Sequence, residues 1–146
     1  MIRDAILLFG KYAYYLVFAI AIGSLLHQPR VLSLFLGGLA VNIFVNVIVK
    51  TTLREKRPHS IDHVAPTDLM YYGMPSLHAQ NTGYCLAFLL YTRISSLWYS
   101  VCGLLATLAI LQRYWIGVHT PRQLGVGVLL GLGMGTLARR IRLDTP

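Results

Sequence analysis

The sequence predicts an all-α fold, a polytopic membrane bundle of about five transmembrane helices, and three observations carry that expectation. Of 146 residues, 55% are hydrophobic and only 12% charged, with a mean hydropathy of +0.59. A soluble domain carries roughly 25% charged residues, so this chain lacks the charge to coat a water-facing surface. The apolar residues also fall into five runs of about 15–19 residues. At about 1.5 Å per residue such runs reach roughly 23–29 Å, enough to cross the hydrocarbon once interfacial residues are added. Finally, the length suits a single domain spanning residues 1–146, and the composition argues against disorder, a coiled coil or a disulfide scaffold.

The first run spans Leu8 to Leu26. A cleavable signal peptide is the weaker account of it, because the leading residues are weakly basic and Lys11 interrupts the run. His27-Gln28-Pro29-Arg30 turns the chain into the second run, Val31 to Val49. A polar loop of 26 residues follows, Lys50 to Pro75, and a loop that long is usually functional or disordered. The third run goes from Leu77 to residues 91–93, the fourth from Leu97 to Tyr114 and the fifth from Pro121 to Ala138. Gly127, Gly131 and Gly135 form a small-residue stripe on the last run, suited to close helix approach inside the bundle or in a homodimer. Tyr71, Tyr72, Tyr114 and Trp115 mark one membrane interface, Trp98 and Tyr99 the other. If the spans alternate, the 50–75 loop and the 117–120 connection open on the same face.

Thirteen Lys and Arg against five Asp and Glu give a formal charge of +8. Nucleic acid and phosphate-bearing lipid both suit such an excess; the apolar background selects a membrane lipid and the bilayer as partners and sets nucleic acid aside. Cys85 and Cys102 lie within apolar runs and read as packing residues.

Three polar features stand on the shared face. Lys50, Arg54 and Arg57 recur at i, i+4, i+7 and would form a basic stripe if the second helix continued to the stop at Pro58. Gly73-Met74-Pro75-Ser76-Leu77-His78 reads as a helix start with Ser76 as N-cap, whose free N–H groups would face an anion. In the stretch from Arg113 to Gln123, Gly117 stops one helix, and Thr120-x-x-Gln123 forms a capping box with Pro121 in the first helical position. Capping leaves Arg113 and His119 unexplained, and ionisable groups at membrane boundaries mark function by default. Three cations, a helix N-terminus and two histidines make a logical phosphate site, in which one histidine attacks and the other protonates the departing oxygen.

Lys50-x6-Arg57-Pro58, Pro75-Ser76-Leu77-His78 and Arg113-x5-His119-x3-Gln123 resemble the three-part signature of the type 2 phosphatidic acid phosphatase (PAP2) superfamily, in order and with its spacings. The resemblance covers about half the chain. It implies a haloperoxidase-like helical core and a membrane lipid phosphatase that needs no metal and no cofactor. It further implies His119 as the nucleophile forming a phosphohistidine and His78 as the general acid. Gln123 would orient His119, and Lys50, Arg57, Ser76, Arg113 and the backbone of Leu77 would hold the phosphate. Three positions depart from the family pattern: Leu77 stands for Gly, Gln112 for Ser, and Gln123 for the Asp that holds and charges the nucleophile. An amide orients an imidazole but cannot balance an imidazolium. Gly73-Met74-Pro75-Ser76 with His119, Thr120 and Gln123 resembles the dolichyl diphosphatase branch, where Gln also occupies that place. This implies a polyprenyl diphosphate substrate, with phosphatidate or phosphatidylglycerophosphate as the alternative. The family commonly has six spans, whereas two precede the first motif here.

Two rivals are a zinc site built from His59, Asp62, His63 and Asp68, and a non-catalytic phospholipid-binding protein on the same scaffold, for which Gln123 is the best support. The basic cluster Arg139, Arg140 and Arg142 places the C-terminus in the cytosol by the positive-inside rule. The site would then face the endoplasmic reticulum lumen, the periplasm or the exterior.

Overall fold

The computed structural model describes residues 2–58, 69–92 and 94–143. They form five helices, α1 (Ile2–Leu25), α2 (Pro29–Leu53), α3 (Leu77–Leu90), α4 (Ser96–Trp115) and α5 (Pro121–Leu143), with a single 3-10 turn at Leu69–Tyr71 before α3. Pro29 opens α2 at its first turn, where a missing N–H costs nothing. At α4, the Ser95 hydroxyl accepts from the Trp98 N–H. The fifth helix runs past Ala138, so the basic tail through Leu143 is helical.

Three of the helices, Leu7–Leu25, Pro29–Leu53 and Pro121–Ile141, are long and apolar enough to cross a membrane on their own. Large apolar side chains such as Phe9, Leu16, Phe44, Leu104, Leu129 and Leu137 point outward, the arrangement expected when lipid is the solvent.

The third helix departs most from the expected spans. Its 14 residues reach only about 21 Å, short of a hydrocarbon core of about 30 Å. It lies at the centre, packing mainly on α5 and also touching α1, α2 and α4. Its residues from Ala79 through Cys85 are all buried. Protein surrounds it, so it can carry Gln80, Asn81 and Thr82 where a lipid-facing helix could not.

The glycine stripe of α5 is consumed by this contact. A Cβ on Gly131 would stand 1.9 Å from the Gln80 carbonyl oxygen, and Gly127 and Gly135 meet α3 backbone in the same way. Of the two uses expected for Gly127, Gly131 and Gly135, inside the bundle or in a homodimer, the structure shows the first: the stripe is buried against α3.

An amide ladder joins α1, α2 and α3. The Asn42 amide donates to Asn81 Oδ1 at 2.8 Å, and Asn81 donates to the Tyr14 hydroxyl at 2.9 Å. Gln80 donates to the Asn42 carbonyl and side chain. Asn46 donates to Gln80 Oε1 at 2.7 Å and to the Pro75 carbonyl at 3.3 Å. Every link is buried or half-buried, and the last one holds Pro75, next to the N-cap residue of α3.

Candidate active site

The ladder climbs one face of α2. Asn42, Asn46 and Lys50 recur every four residues and are all buried, so the buried polar stripe of this helix is not the expected Lys50, Arg54 and Arg57. The reason is a backbone event. The helix ends at Leu53, and Arg54 adopts a left-handed conformation (φ 48°), its N–H bonding the Lys50 carbonyl. Beyond that turn the chain runs back along the segment before α3: Lys56 bridges Tyr72, and the Gly73 N–H donates to the Glu55 carbonyl at 2.7 Å. Arg57 reaches the site from this extended strip, while Arg54 is exposed and donates to its own turn.

At the start of α3, Ser76 occupies the N-cap position without a side-chain capping bond. Its N–H donates to the Gln123 carbonyl at 3.1 Å, tying α3 to the first turn of α5. The Ser76 hydroxyl and Arg57 Nε are buried with no hydrogen-bond partner among the described residues. Such atoms are costly unless something pairs with them. His78, the second residue of α3, packs its ring at a tilt against Tyr14 with centroids 4.4 Å apart and contacts Arg113 of the last turn of α4 through Nε2. Arginine has no acceptor, so in this pair Nε2 of His78 accepts and its proton sits on Nδ1.

After α4 the chain turns at Gly117, whose φ of 72° suits a glycine. His119 follows and is buried. The expected capping box forms: Gln123 N–H donates to Thr120 Oγ1 and Thr120 N–H to Gln123 Oε1, both at 3.2 Å. The same Oε1 lies 3.2 Å from His119 Nδ1, while Gln123 Nε2 donates to Glu55 Oε1 and to the Lys56 carbonyl, both at 2.9 Å. These two partners can only accept, and Thr120 N–H can only donate, so the amide orientation is fixed. His119 must then carry its proton on Nδ1, which leaves the Nε2 lone pair free. Gly73 is needed beside this amide, because a Cβ there would stand 2.4 Å from Gln123 Oε1.

A cavity of about 280 Å³ gathers these pieces, lined by Lys50, Arg57, Leu77, His78, Arg113 and His119 together with Asn46, Val47 and Leu69. Ser76 and Gln123 lie buried immediately behind it. Larger hollows, such as those between α2 and α5 and between α4 and α5, are lined mainly by apolar residues, with Arg30 and Ser33 at the first, and neither holds a histidine. Among the described residues, the cavity lining holds three cations and no carboxylate. Burial first, and then the Arg57 charge, push the His119 imidazole down to about 4, against the opposing bond to Gln123. Burial and the neighbouring Arg113 charge also lower Arg57.

All eight residues expected from the sequence are thus brought together. Gln112, which also departs from the family pattern, is not among the lining residues: it is buried against Gly10 of α1. Glu55, Asn46 and Tyr14 were not foreseen. The four-residue spacing from Asn42 to Lys50 would have revealed Asn46, whereas nothing in the sequence marks Glu55. His59, Asp62, His63 and Asp68 lie outside the described residues. Among the described residues, no three His, Cys, Asp or Glu side chains cluster in a way that could hold a metal ion.

The chain is similar to known proteins in sequence and in fold. The family model described as the PAP2 superfamily matches residues 31–145. A protein of Schizosaccharomyces pombe named palmitoyl-protein thioesterase-dolichyl pyrophosphate phosphatase fusion 1 is 30% identical over 110 residues, covering 68% of this chain and 17% of that protein. The chain therefore spans about a sixth of that relative's length. Among solved structures, the transmembrane PAP2 type phosphatidylglycerolphosphate phosphatase from Bacillus subtilis superposes with a TM-score of 0.70 at 19% identity, covering 99% of this chain and 77% of that one, a likeness of fold. With its helices, its cavity and its three motifs in one place, this membrane protein belongs to the PAP2 superfamily.

Proposed function

We propose that this chain is a metal-independent lipid phosphatase acting through a phosphohistidine at His119, with a polyprenyl diphosphate as substrate. The observation that carries the reading is a neutral imidazole with its Nε2 lone pair free, in a cavity whose charged lining groups, among the described residues, are Lys50, Arg57 and Arg113. Such an imidazole attacks phosphorus, and the three cations neutralise charge on the phosphoryl oxygens. As the His119 Nε2–P bond forms, the P–O bond to the leaving group breaks, and His78 protonates the departing oxygen. Water then attacks the phosphohistidine while giving a proton back to His78; the N–P bond breaks, releasing inorganic phosphate and restoring both histidines. In the unliganded pairing, Arg113 engages His78 Nε2. A phosphate anion competes for that guanidinium, and the freed Nε2 takes up a proton beside the anion, giving the imidazolium that donates it to the leaving oxygen.

The preference for a prenyl diphosphate rests on Gln123 and on the name of the yeast relative, a dolichyl pyrophosphate phosphatase fusion. The name of the bacterial structure supports phosphatidylglycerophosphate as the alternative. The basic end of α5, with Arg139 and Arg140, supports a cytosolic C-terminus and a site on the non-cytosolic face; glycosylation mapping of an acceptor placed in the 59–68 stretch reads that side directly.

The test is phosphate release by purified protein in detergent and chelator, across prenyl diphosphate, prenyl phosphate, phosphatidate and phosphatidylglycerophosphate. Turnover is expected, fastest on the diphosphate and lost with phosphoenzyme trapping in His119→Ala. Full activity in that variant would end the mechanism. Tight lipid binding without turnover on any substrate would leave the non-catalytic alternative.

A further inference from the structure

The Gln at position 123 raises a question of charge. Nucleophilic attack turns His119 from neutral to cationic beside Lys50, Arg57 and Arg113, and an amide has no charge with which to oppose that. Two observations bear on it. Gln123 Oε1 takes the His119 Nδ1–H, and Gln123 Nε2 donates to a carboxylate oxygen of Glu55 at 2.9 Å. The other Glu55 oxygen meets Arg122 at 2.8 Å, a residue whose side chain is 75% exposed. The Glu55 backbone is also held, its carbonyl accepting from Gly73 N–H.

We propose that Glu55 is the anionic member of the His119 support, a positioning residue that acts through Gln123. The carboxylate draws the amide hydrogen, the amide oxygen gains negative character, and the Nδ1–H bond strengthens as positive charge develops on the imidazole. Charge-assisted bonds are roughly twice as strong as neutral ones, and hydrogen-bonded chains polarise one another. The pair Gln123 and Glu55 thus does in two links what one Asp does elsewhere in the family. Arg122, largely in water, only tethers the far oxygen. This inference rests on His119 being the nucleophile.

The test uses full-length protein in detergent and two probes besides substrate. Orthovanadate forms a bond to the attacking nitrogen and mimics the pentacoordinate phosphorus; inorganic phosphate is held by the cations alone. Glu55→Gln keeps a hydrogen-bond acceptor of the same size and removes the charge. It is expected to lower kcat about 10- to 100-fold, the usual range for a residue supporting a catalytic ligand, with KM within a few-fold. Vanadate affinity falls by a similar factor while phosphate affinity holds. Arg122→Ala stays within a few-fold of wild type on all readouts, as an exposed ion pair should.

Gln123→Asp alone places two carboxylates face to face and loses activity; adding Glu55→Gln restores a single charge next to His119 and recovers part of the loss. The proposal is overturned if Glu55→Gln behaves as wild type, if Arg122→Ala reproduces its loss, if phosphate and vanadate weaken together, or if the double variant shows only summed losses. Wild-type protein that binds vanadate but cleaves no lipid would remove the proposed function, while the Glu55 probe titrations still decide this inference. No vanadate binding by wild type would overturn both.

Discussion

Two polar regions share one face of α2 and behave in opposite ways. The lower part, Asn42 and Asn46, is neutral and paired: its side chains link to Gln80, Asn81 and Tyr14 in an unbroken ladder. The upper part, from Lys50 to the cavity, is charged and open: Arg57 Nε and the Ser76 hydroxyl have no partner among the described residues. Buried polar groups that are all paired rigidify a structure. Unpaired donors on and beside a group of three cations are a place for an anion. The ladder sets where α3 begins, and the cavity uses that position, because Asn46 reaches the Pro75 carbonyl and Ser76 and His78 follow directly.

The contrast breaks most severely at His119. His119→Ala should lower turnover by about three orders of magnitude or more, as removal of a nucleophile does, with the melting temperature nearly unchanged. The same residue predicts a pH dependence. Attack needs the neutral imidazole, burial and the Arg57 charge hold its pKa near 4, and protonation removes the lone pair. Activity limited by this group is therefore present at neutral pH and falls only as pH drops toward 4. The check is kcat/KM on two substrates whose phosphates ionise differently, so that the limb they share belongs to the enzyme. A shared limb at the ordinary histidine value would contradict the burial argument.

A smaller effect of the opposite kind is expected in the ladder. Asn42→Ala leaves Asn81 Oδ1 without its donor and the Gln80 amide with one partner fewer. An unsatisfied buried polar group costs about 1–3 kcal/mol, so thermal stability in detergent should fall while KM for surviving protein stays near wild type. A large KM change at unaltered stability would show that the ladder shapes the cavity rather than the fold.

Much of this was legible in the sequence where the physics is local. Apolar runs, the glycine at 117 and the Thr120–Gln123 box each depend on a few neighbouring residues, and five helices and the turn at 117 follow those signals, although α3 is shorter than a span and α5 longer than its run. What depended on tertiary context was not legible. Arg54 in a left-handed conformation ends α2 without the glycine or asparagine that usually announces such a turn. Ser76 has the identity of an N-cap, yet its hydroxyl is turned away from that role. The glycine stripe was visible, but only the position of α3 decides which helix fills it. Glu55 lies 68 residues from Gln123, and no spacing rule connects them.

The smallest expected effect separates the two supports of Gln123. Thr120→Ala removes the Oγ1 that accepts from Gln123 N–H, half of the capping box, and should cost about 1 kcal/mol at the start of α5. The amide itself does not need that hydroxyl. Its oxygen still receives the Thr120 N–H, and its nitrogen still donates to Glu55 and the Lys56 carbonyl. Turnover should therefore remain within a few-fold of wild type although the melting temperature drops. If turnover instead collapsed as far as in His119→Ala, the start of α5 alone would be holding the amide, and the strip from Glu55 to Arg57 would lose its claim to half of the site.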